Sequence, residues 1–398
     1  MKRQPRALEE ALSDLDRRHL TRRRSTLAAF VEPGNRVNTI VDGRPLVDFA
    51  SNDYLGLARH PAVAAAMSEC AARCGAGSGA SHLVTGHGTE HAHLEEELAA
   101  FTGRERALLF STGYMANLAA VTALAGRGEL VLLDRLSHAS LIDGARLSGA
   151  RFWRYAHADA QAAERALAER SQDVAVIATD GVFSMDGDIA PLPELARAAN
   201  AHGAWLIVDD AHGLGVLGPS GRGSLERLGL SGGDAPVLVA TLGKAFGTFG
   251  AFVAGSAQLI EFLLQKARPY IYTTALPQPL AAATRKALAI AQREPWRRER
   301  LLALTERFRA AASRAKVPLA GSGTPIQPVM LGDSQTALLA QQALFNAGFW
   351  VVAIRPPTVP AGAARLRVTL SAAHTEAQVD GLVEELSRVC ARVQAACQ

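Results

Sequence analysis

From Pro61 onward two periodicities take turns along the chain. Short apolar runs (Ala107–Phe110, Leu130–Leu133, Val174–Ala178, Leu206–Val208, Val237–Ala240 and Ala251–Ala254) alternate with stretches whose apolar positions recur every three or four residues. The first kind predicts strands buried on both faces and the second predicts helices laid over them. In His91–Phe101, for example, Leu94, Leu98 and Phe101 share one face, and Gly103 stops the helix. Strands separated by helices predict an α/β fold with a mostly parallel sheet covered on both sides. Ligands of such sheets bind beyond the carboxyl ends of the strands.

The two ends of the chain read differently. Residues 7 to 30 predict one amphipathic helix, and Asn38–Phe49 a short hairpin around Asp42-Gly43. After Pro295 come a charged helix over Trp296–Ser313, a helix over Gln335–Ala347 stopped by Gly348, and a strand over Trp350–Ile354. Arg365-Leu-Arg-Val-Thr-Leu370 alternates, so Leu366, Val368 and Leu370 are expected to face a core while Arg365, Arg367 and Thr369 face away. Thr375 and Gln378 form a possible capping box for a last helix. The expected division is an N-terminal helix and hairpin segment (1–50), a large domain (51–290) and a smaller α+β domain (291–398).

Composition narrows the function classes. The chain has 398 residues, 48% hydrophobic and 20% charged, with a formal net charge of +4. Its one dense basic cluster, Arg17-Arg18 with Arg22-Arg23-Arg24, has no interleaved aromatics, which argues against nucleic acid. No apolar stretch is long enough to span a bilayer, and the early acids Glu9, Glu10, Asp14 and Asp16 fit neither a secretory nor a transit leader. Four cysteines without a Cys-x-x-Cys pair suit a reducing compartment. A soluble cytoplasmic protein is expected.

The chemistry gathers at strand ends. Lys244 lies between glycines just after Val237–Ala240, where an amine can be desolvated and can form a Schiff base. Asp209, with His212 close behind, ends Leu206–Val208. A lysine for an aldehyde and a carboxylate for a pyridinium nitrogen are what pyridoxal phosphate (PLP) requires. Phe110-Ser-Thr-Gly-Tyr-Met-Ala-Asn117 offers hydroxyls, Gly113 for close approach and a helix start for a phosphate, with Tyr114 placed to cover the site and Thr241 as a further hydroxyl. His138 is placed to stack on a ring, Ser184 to touch a ring oxygen, and Arg367 to take a substrate carboxylate bidentately. Each residue alone has a plainer reading: a turn cap, a core histidine, a solvated arginine.

Two other motifs carry less. Gly75-Ala-Gly-Ser-Gly79 follows a helical stretch rather than a strand, so it lacks the context of a dinucleotide loop and of the dehydrogenase it would imply. His82, His87, His91 and His93 have no carboxylate or cysteine partners to complete a metal site, and no metal is expected.

Four motifs in order resemble the α-oxoamine synthases: Ser51-Asn-Asp-Tyr-Leu-Gly-Leu57, Asp180-Gly-Val-Phe-Ser-Met-Asp-Gly-Asp188, Val208-Asp-Asp-Ala-His-Gly213 and Thr241-Leu-Gly-Lys-Ala-Phe-Gly247. The resemblance implies the aspartate-aminotransferase fold and PLP as cofactor. It implies Lys244 as the Schiff-base lysine and Cα base, with Asp209 on the pyridinium and His138 stacked on the ring. His212 and Ser184 would meet the phenolic oxygen, and Gly113, Tyr114 and Thr241 would lie along cofactor and phosphate. Arg22 and Thr358 would meet the acyl substrate, Asn52 would line the site, and Arg367 would take the amino-acid carboxylate. Ala353-Ile-Arg-Pro-Pro-Thr-Val-Pro-Ala-Gly362 and Ala364-Arg-Leu-Arg367 point to the branch in biotin biosynthesis. That branch joins L-alanine to a pimeloyl thioester, of coenzyme A or acyl carrier protein, in a decarboxylative Claisen condensation. A glycine-using member of the family is the alternative. The family also implies a homodimer with Thr273 or Thr274 reaching the partner's phosphate. Asp180 stands where glutamate is more usual.

Overall fold

The computed structural model describes residues 8–28, 37–170 and 173–396, with side chains described as far as residue 392. It divides into two compact units. One comprises the residues up to Ser51, Met185–Gly187 and the residues from Leu301; the other comprises Asn52–Ser184 and Asp188–Arg300.

The second unit is built on a seven-stranded sheet. In spatial order its strands are Arg106–Phe110, Ala251–Gly255, Val237–Thr241, Trp205–Asp209, Val174–Asp180, Leu130–Asp134 and Arg151–Tyr155. Ala251–Gly255 runs antiparallel to both neighbours and the remaining pairings are parallel. Every apolar run read as a strand is one. Arg151–Tyr155 escaped the reading because two of its five residues, Arg151 and Arg154, are charged and its side chains are mostly not buried, as suits the edge of a sheet. The inner strands are buried along nearly their whole length because helices cover both faces. Ala116, Ala120 and Val121 lie on one side, and Leu192, Leu195 and Ala199 on the other.

The first unit holds two small sheets. In one, the hairpin Asn38–Val41 and Arg44–Asp48 turns through Asp42 (φ 48°) and Gly43 (φ 81°), the left-handed pair that a two-residue hairpin favours. The other is antiparallel, with Ala364–Thr369 between Ile326–Gly332 and Val352–Ile354.

Three expectations fail in this unit. The predicted 7–30 helix covers only Leu8–Arg17. His19 turns left-handed (φ 53°), and Leu27–Ala28 pairs as a strand with Ile40 and Val41, held by the Thr26 N–H donating to Asp42 Oδ1 at 2.9 Å. Residues 7, 29 and 30 lie outside the described residues. The strand expected over Trp350–Ile354 breaks at Val351: Phe349–Trp350 pairs with Arg44–Asp48, while Val352–Ile354 pairs with Ala364–Thr369. Arg365, Arg367 and Thr369 do not face away from a core, for all six residues of Ala364–Thr369 are buried. Its polar face is covered too: Arg365 there meets the Met185 carbonyl and the Asp186 carboxylate. The capping box does form, with Thr375 and Gln378 each donating a backbone N–H to the other's side chain at 2.8 and 3.2 Å.

Candidate active site

In the larger unit the strand ends bring four of the expected residues together. Lys244 follows Val237–Thr241 in a tight turn closed by the Gly247 N–H donating to its carbonyl at 2.9 Å. Its Nζ lies 2.8 Å from His212 Nε2, and His212 Nδ1 lies 2.7 Å from the hydroxyl of Tyr54. Tyr54, 1% exposed, is thus part of a relay that the sequence reading missed, although the residue stands in a quoted motif. It also donates to Asn52 Oδ1 at 3.5 Å, which places Asn52 beside the same group.

Asp209 is buried at the end of its strand. Its Oδ2 accepts from Asn117 Nδ2 at 2.6 Å and its Oδ1 from the Ala211 N–H at 3.0 Å. Asn117 donates as well to Ser140 Oγ at 2.8 Å, and Ser140 Oγ lies 2.6 Å from His138 Nδ1. Asn117 and Ser140 were missed as site residues because only the fold puts the Gly113–Leu124 and Ala139–Ser148 helices side by side. The His138 backbone N–H donates to Asp180 Oδ2 at 2.8 Å. Asp180 and Asp209 are register partners on adjacent parallel strands.

Burial sets the electrostatics here. It holds the His138 imidazole below its ordinary range, against the opposing pull of Asp209. It pushes the Asp180 carboxyl well up, with the charge of Asp209 adding to the effect, which favours the neutral form of Asp180. Asp210 is pushed to about 7, again by burial first. A Cβ at Gly213 would sit 2.1 Å from Asp210 Oδ1, which is why that position carries no side chain.

The helix Gly113–Leu124 opens at Thr112, whose hydroxyl accepts the Met115 N–H at 3.2 Å. A Cβ at Gly113 would meet nothing nearer than Thr241 Cβ at 3.9 Å, so open space lies beside the helix start. Thr241 Oγ1 accepts from the Gly243 N–H at 3.3 Å. Tyr114 is half-exposed and donates to Asp143. Ser184 follows Phe183 in the loop after Val174–Asp180.

The remaining candidates lie elsewhere. In the smaller unit Arg22 and Thr358 line one cavity of about 850 Å³, together with Arg355, Arg44 and the apolar Phe345 and Trp350. Arg355 donates to the carbonyls of His19 and Thr21 and so carries the chain to Arg22. Arg367 is buried in its sheet and donates to Thr369 Oγ1 at 3.1 Å. Thr273 and Thr274 precede the helix Gln278–Arg293. The ring nitrogens of His82, His87 and His91 lie within 4.8 Å of one another. Both nitrogens of His91 are engaged, Nδ1 by the Gly88 N–H and Nε2 by the Leu276 carbonyl.

The aminotransferase class I and II family profile matches residues 44–386. The chain belongs to that family. It is 61% identical over 358 residues to the 8-amino-7-oxononanoate synthase of Methylococcus capsulatus, covering 90% of this chain and 92% of that one. Among solved structures it is similar to a variant of the S. paucimobilis serine palmitoyltransferase with bound PLP-myriocin aldimine, with a TM-score of 0.90 at 32% identity over 98% of each chain. It is also similar to the 8-amino-7-oxononanoate synthase of Francisella tularensis, with a TM-score of 0.76 at 32% identity over 87% of this chain and 98% of that one. The aminotransferase-type α/β fold expected from the sequence is therefore the fold of this protein.

Proposed function

We propose that Lys244, Asp209, His138 and His212 are the working residues of a PLP-dependent C-acyltransferase. The chain has the activity of the 8-amino-7-oxononanoate synthases and the cofactor of its structural relatives. The observation that carries the residue assignment is the grouping of Lys244, His212 and Tyr54 in one relay and of Asp209, Asn117 and Ser140 in another.

The residues fit PLP. Asp209 is a buried carboxylate whose hydrogen-bond donors are neutral amides rather than a cation, which suits it to pair with a pyridinium nitrogen. The open floor at Gly113 and Thr241, at a helix start, fits the phosphate. When bound, PLP supplies an electron sink that lets the Cα of an amino acid lose a proton and act as a carbon nucleophile.

The protein's own groups do the rest. Lys244 Nζ is the amine that would hold the cofactor's aldehyde carbon and, when free, would take the Cα proton of the amino acid. His212 Nε2, 2.8 Å from Nζ, is placed to exchange a proton with it, while the Tyr54 hydroxyl holds Nδ1 and orients the ring. Asp209 would pair with the ring nitrogen. His138, whose imidazole burial holds below its ordinary range, would lie against the ring without adding charge. Ser184 would meet the ring's phenolic oxygen and Tyr114 would flank the cofactor. Asn52, next to Tyr54, lines the substrate side. Arg367 binds the carboxylate of L-alanine, and Arg22 and Thr358, on one cavity wall, bind a pimeloyl thioester.

The acyl carrier is coenzyme A or acyl carrier protein, and the working assembly is a cytoplasmic homodimer in which Thr273 or Thr274 reaches the partner's phosphate. No helix among the described residues is long and apolar enough to cross a membrane. Steady-state assays pairing alanine or glycine with pimeloyl, succinyl and acetyl thioesters test the substrates. Alanine with a pimeloyl thioester is expected to dominate, and preference for glycine with a short acyl group would overturn this reading.

A further inference from the structure

His157 belongs to none of the motifs above, yet it joins one of them to the end of the strand Leu130–Asp134. Its ring stands between two carboxylates, with Nδ1 2.9 Å from Asp134 Oδ1 and Nε2 2.9 Å from Asp188 Oδ2. Both nitrogens therefore donate. Burial alone would lower the pKa of this imidazole, but the two acids outweigh it and raise the group to about 10. The acids depend on His157 unequally. Asp134 also accepts the N–H groups of Leu136 and Ala158 at 2.7 and 2.8 Å. Asp188 Oδ1 is buried with no hydrogen-bond partner among the described residues, which leaves His157 as the support for that carboxylate.

Each acid governs a turn. Asp134 starts the one that leads to His138: its side chain takes the Leu136 N–H, and its carbonyl takes the Ser137 N–H at 3.1 Å. Asp188 closes the other. Its carbonyl accepts the Phe183 N–H at 3.0 Å, and Val182 bridges to Ile189. The Phe183 ring meets the His157 ring edge-on at 4.4 Å and 85°, and Ser184 is the next residue.

We propose that His157 is a positioning residue for the cofactor site: its doubly donating ring ties the turn that carries His138 to the loop that carries Ser184. This rests on the reading that these two residues face PLP. The tie spans two strand ends and touches neither the cofactor nor the substrate.

Two variants test it from opposite ends. His157→Gln retains an amide donor but cannot bridge both acids, and Asp188→Asn removes one acid while leaving the His157–Asp134 contact in place. Titrating the apoprotein with PLP and following fluorescence should show the Kd raised about tenfold in each. Hydrogen exchange of the apoprotein should speed up at residues 135–138 and 181–189. The double variant should be no weaker than either single one, because both break the same link. His157→Arg, a planar cation with several donors, should recover part of the affinity. Wild-type PLP affinity and wild-type exchange in both variants, with only a lower melting temperature, would overturn the proposal, and so would additive losses. Failure of the wild-type protein to develop a visible band with PLP would defeat the cofactor reading, while the exchange of the apoprotein would still judge the tie.

Discussion

The strands Trp205–Asp209 and Ala364–Thr369 are both inner strands that carry ionisable side chains, but they handle charge in opposite ways. In the first, the acids come at the carboxyl end, and Asp209 and Asp210 take their hydrogen bonds from neutral donors: Asn117, the Ala211 amide and the Ser224 amide. In the second, arginines occupy the body of the strand, and Arg365 is closed off by Asp186 in an ion pair and by the Met185 carbonyl. An acid held by neutral donors has no cation of its own and can take one from a ligand, whereas a buried cation with its own acid is already satisfied. The arrangement at Asp209 suits chemistry and the one at Arg365 suits structure.

That contrast can be broken by experiment. The largest effect is expected at Lys244, the partner of the acid end: Lys244→Ala should cost at least about a thousandfold in kcat, abolish the visible band with PLP and leave the melting temperature close to wild type. Retained turnover would contradict the assignment. Asp209→Asn keeps the size and the Asn117 contact, so kcat should fall about a hundredfold or more with little change in urea unfolding. Arg365→Ala should do the reverse, costing about 3 kcal/mol of stability by stranding Asp186. If Asp209→Asn destabilises as much as Arg365→Ala, the two strands do not differ in the way described.

A pH profile sharpens the same point at Asp210. Its folded pKa, about 7, lies above the ordinary value of 3.8 because the carboxyl is buried, so the folded state binds the proton more tightly than the unfolded one. The stability contribution of this group is full below about 3.8 and is lost as pH rises through about 7. Asp210→Asn should flatten that part of the profile, and an unchanged slope in urea unfolding across this window would refute the assignment. The smallest effect is expected far from either strand. Thr375→Ala removes one half of the capping box and should cost about 1 kcal/mol in chemical denaturation, without altering PLP binding.

Much of the site was legible because buried parallel strands admit polar side chains only where they end. Lys244, Asp209 and His212 stand out for that reason, each just past an apolar run. Tyr54, Asn117, Ser140 and His157 were not legible as partners. Their contacts join segments 158, 92, 23 and 31 positions away, to His212, Asp209, Asn117 and Asp188, and no local pattern reports such pairings. The N-terminal helix misled for a related reason. Its amphipathic pattern runs past Arg17, but the Thr26–Asp42 hydrogen bond and the pairing with Ile40 and Val41 recruit the following residues into a sheet.

Alternation along Arg365–Leu370 identified a strand but assigned its polar face to the outside, since alternation does not report whether another segment covers that face, as residues 185 and 186 do at Arg365. The order of strands, helices and chemical groups follows from the sequence alone, because periodicity and strand-end residues are local properties. Which acid stays neutral, which arginine is closed by an acid and which histidine ties two loops together depend on burial and on distances between remote segments. Only the packed chain sets those.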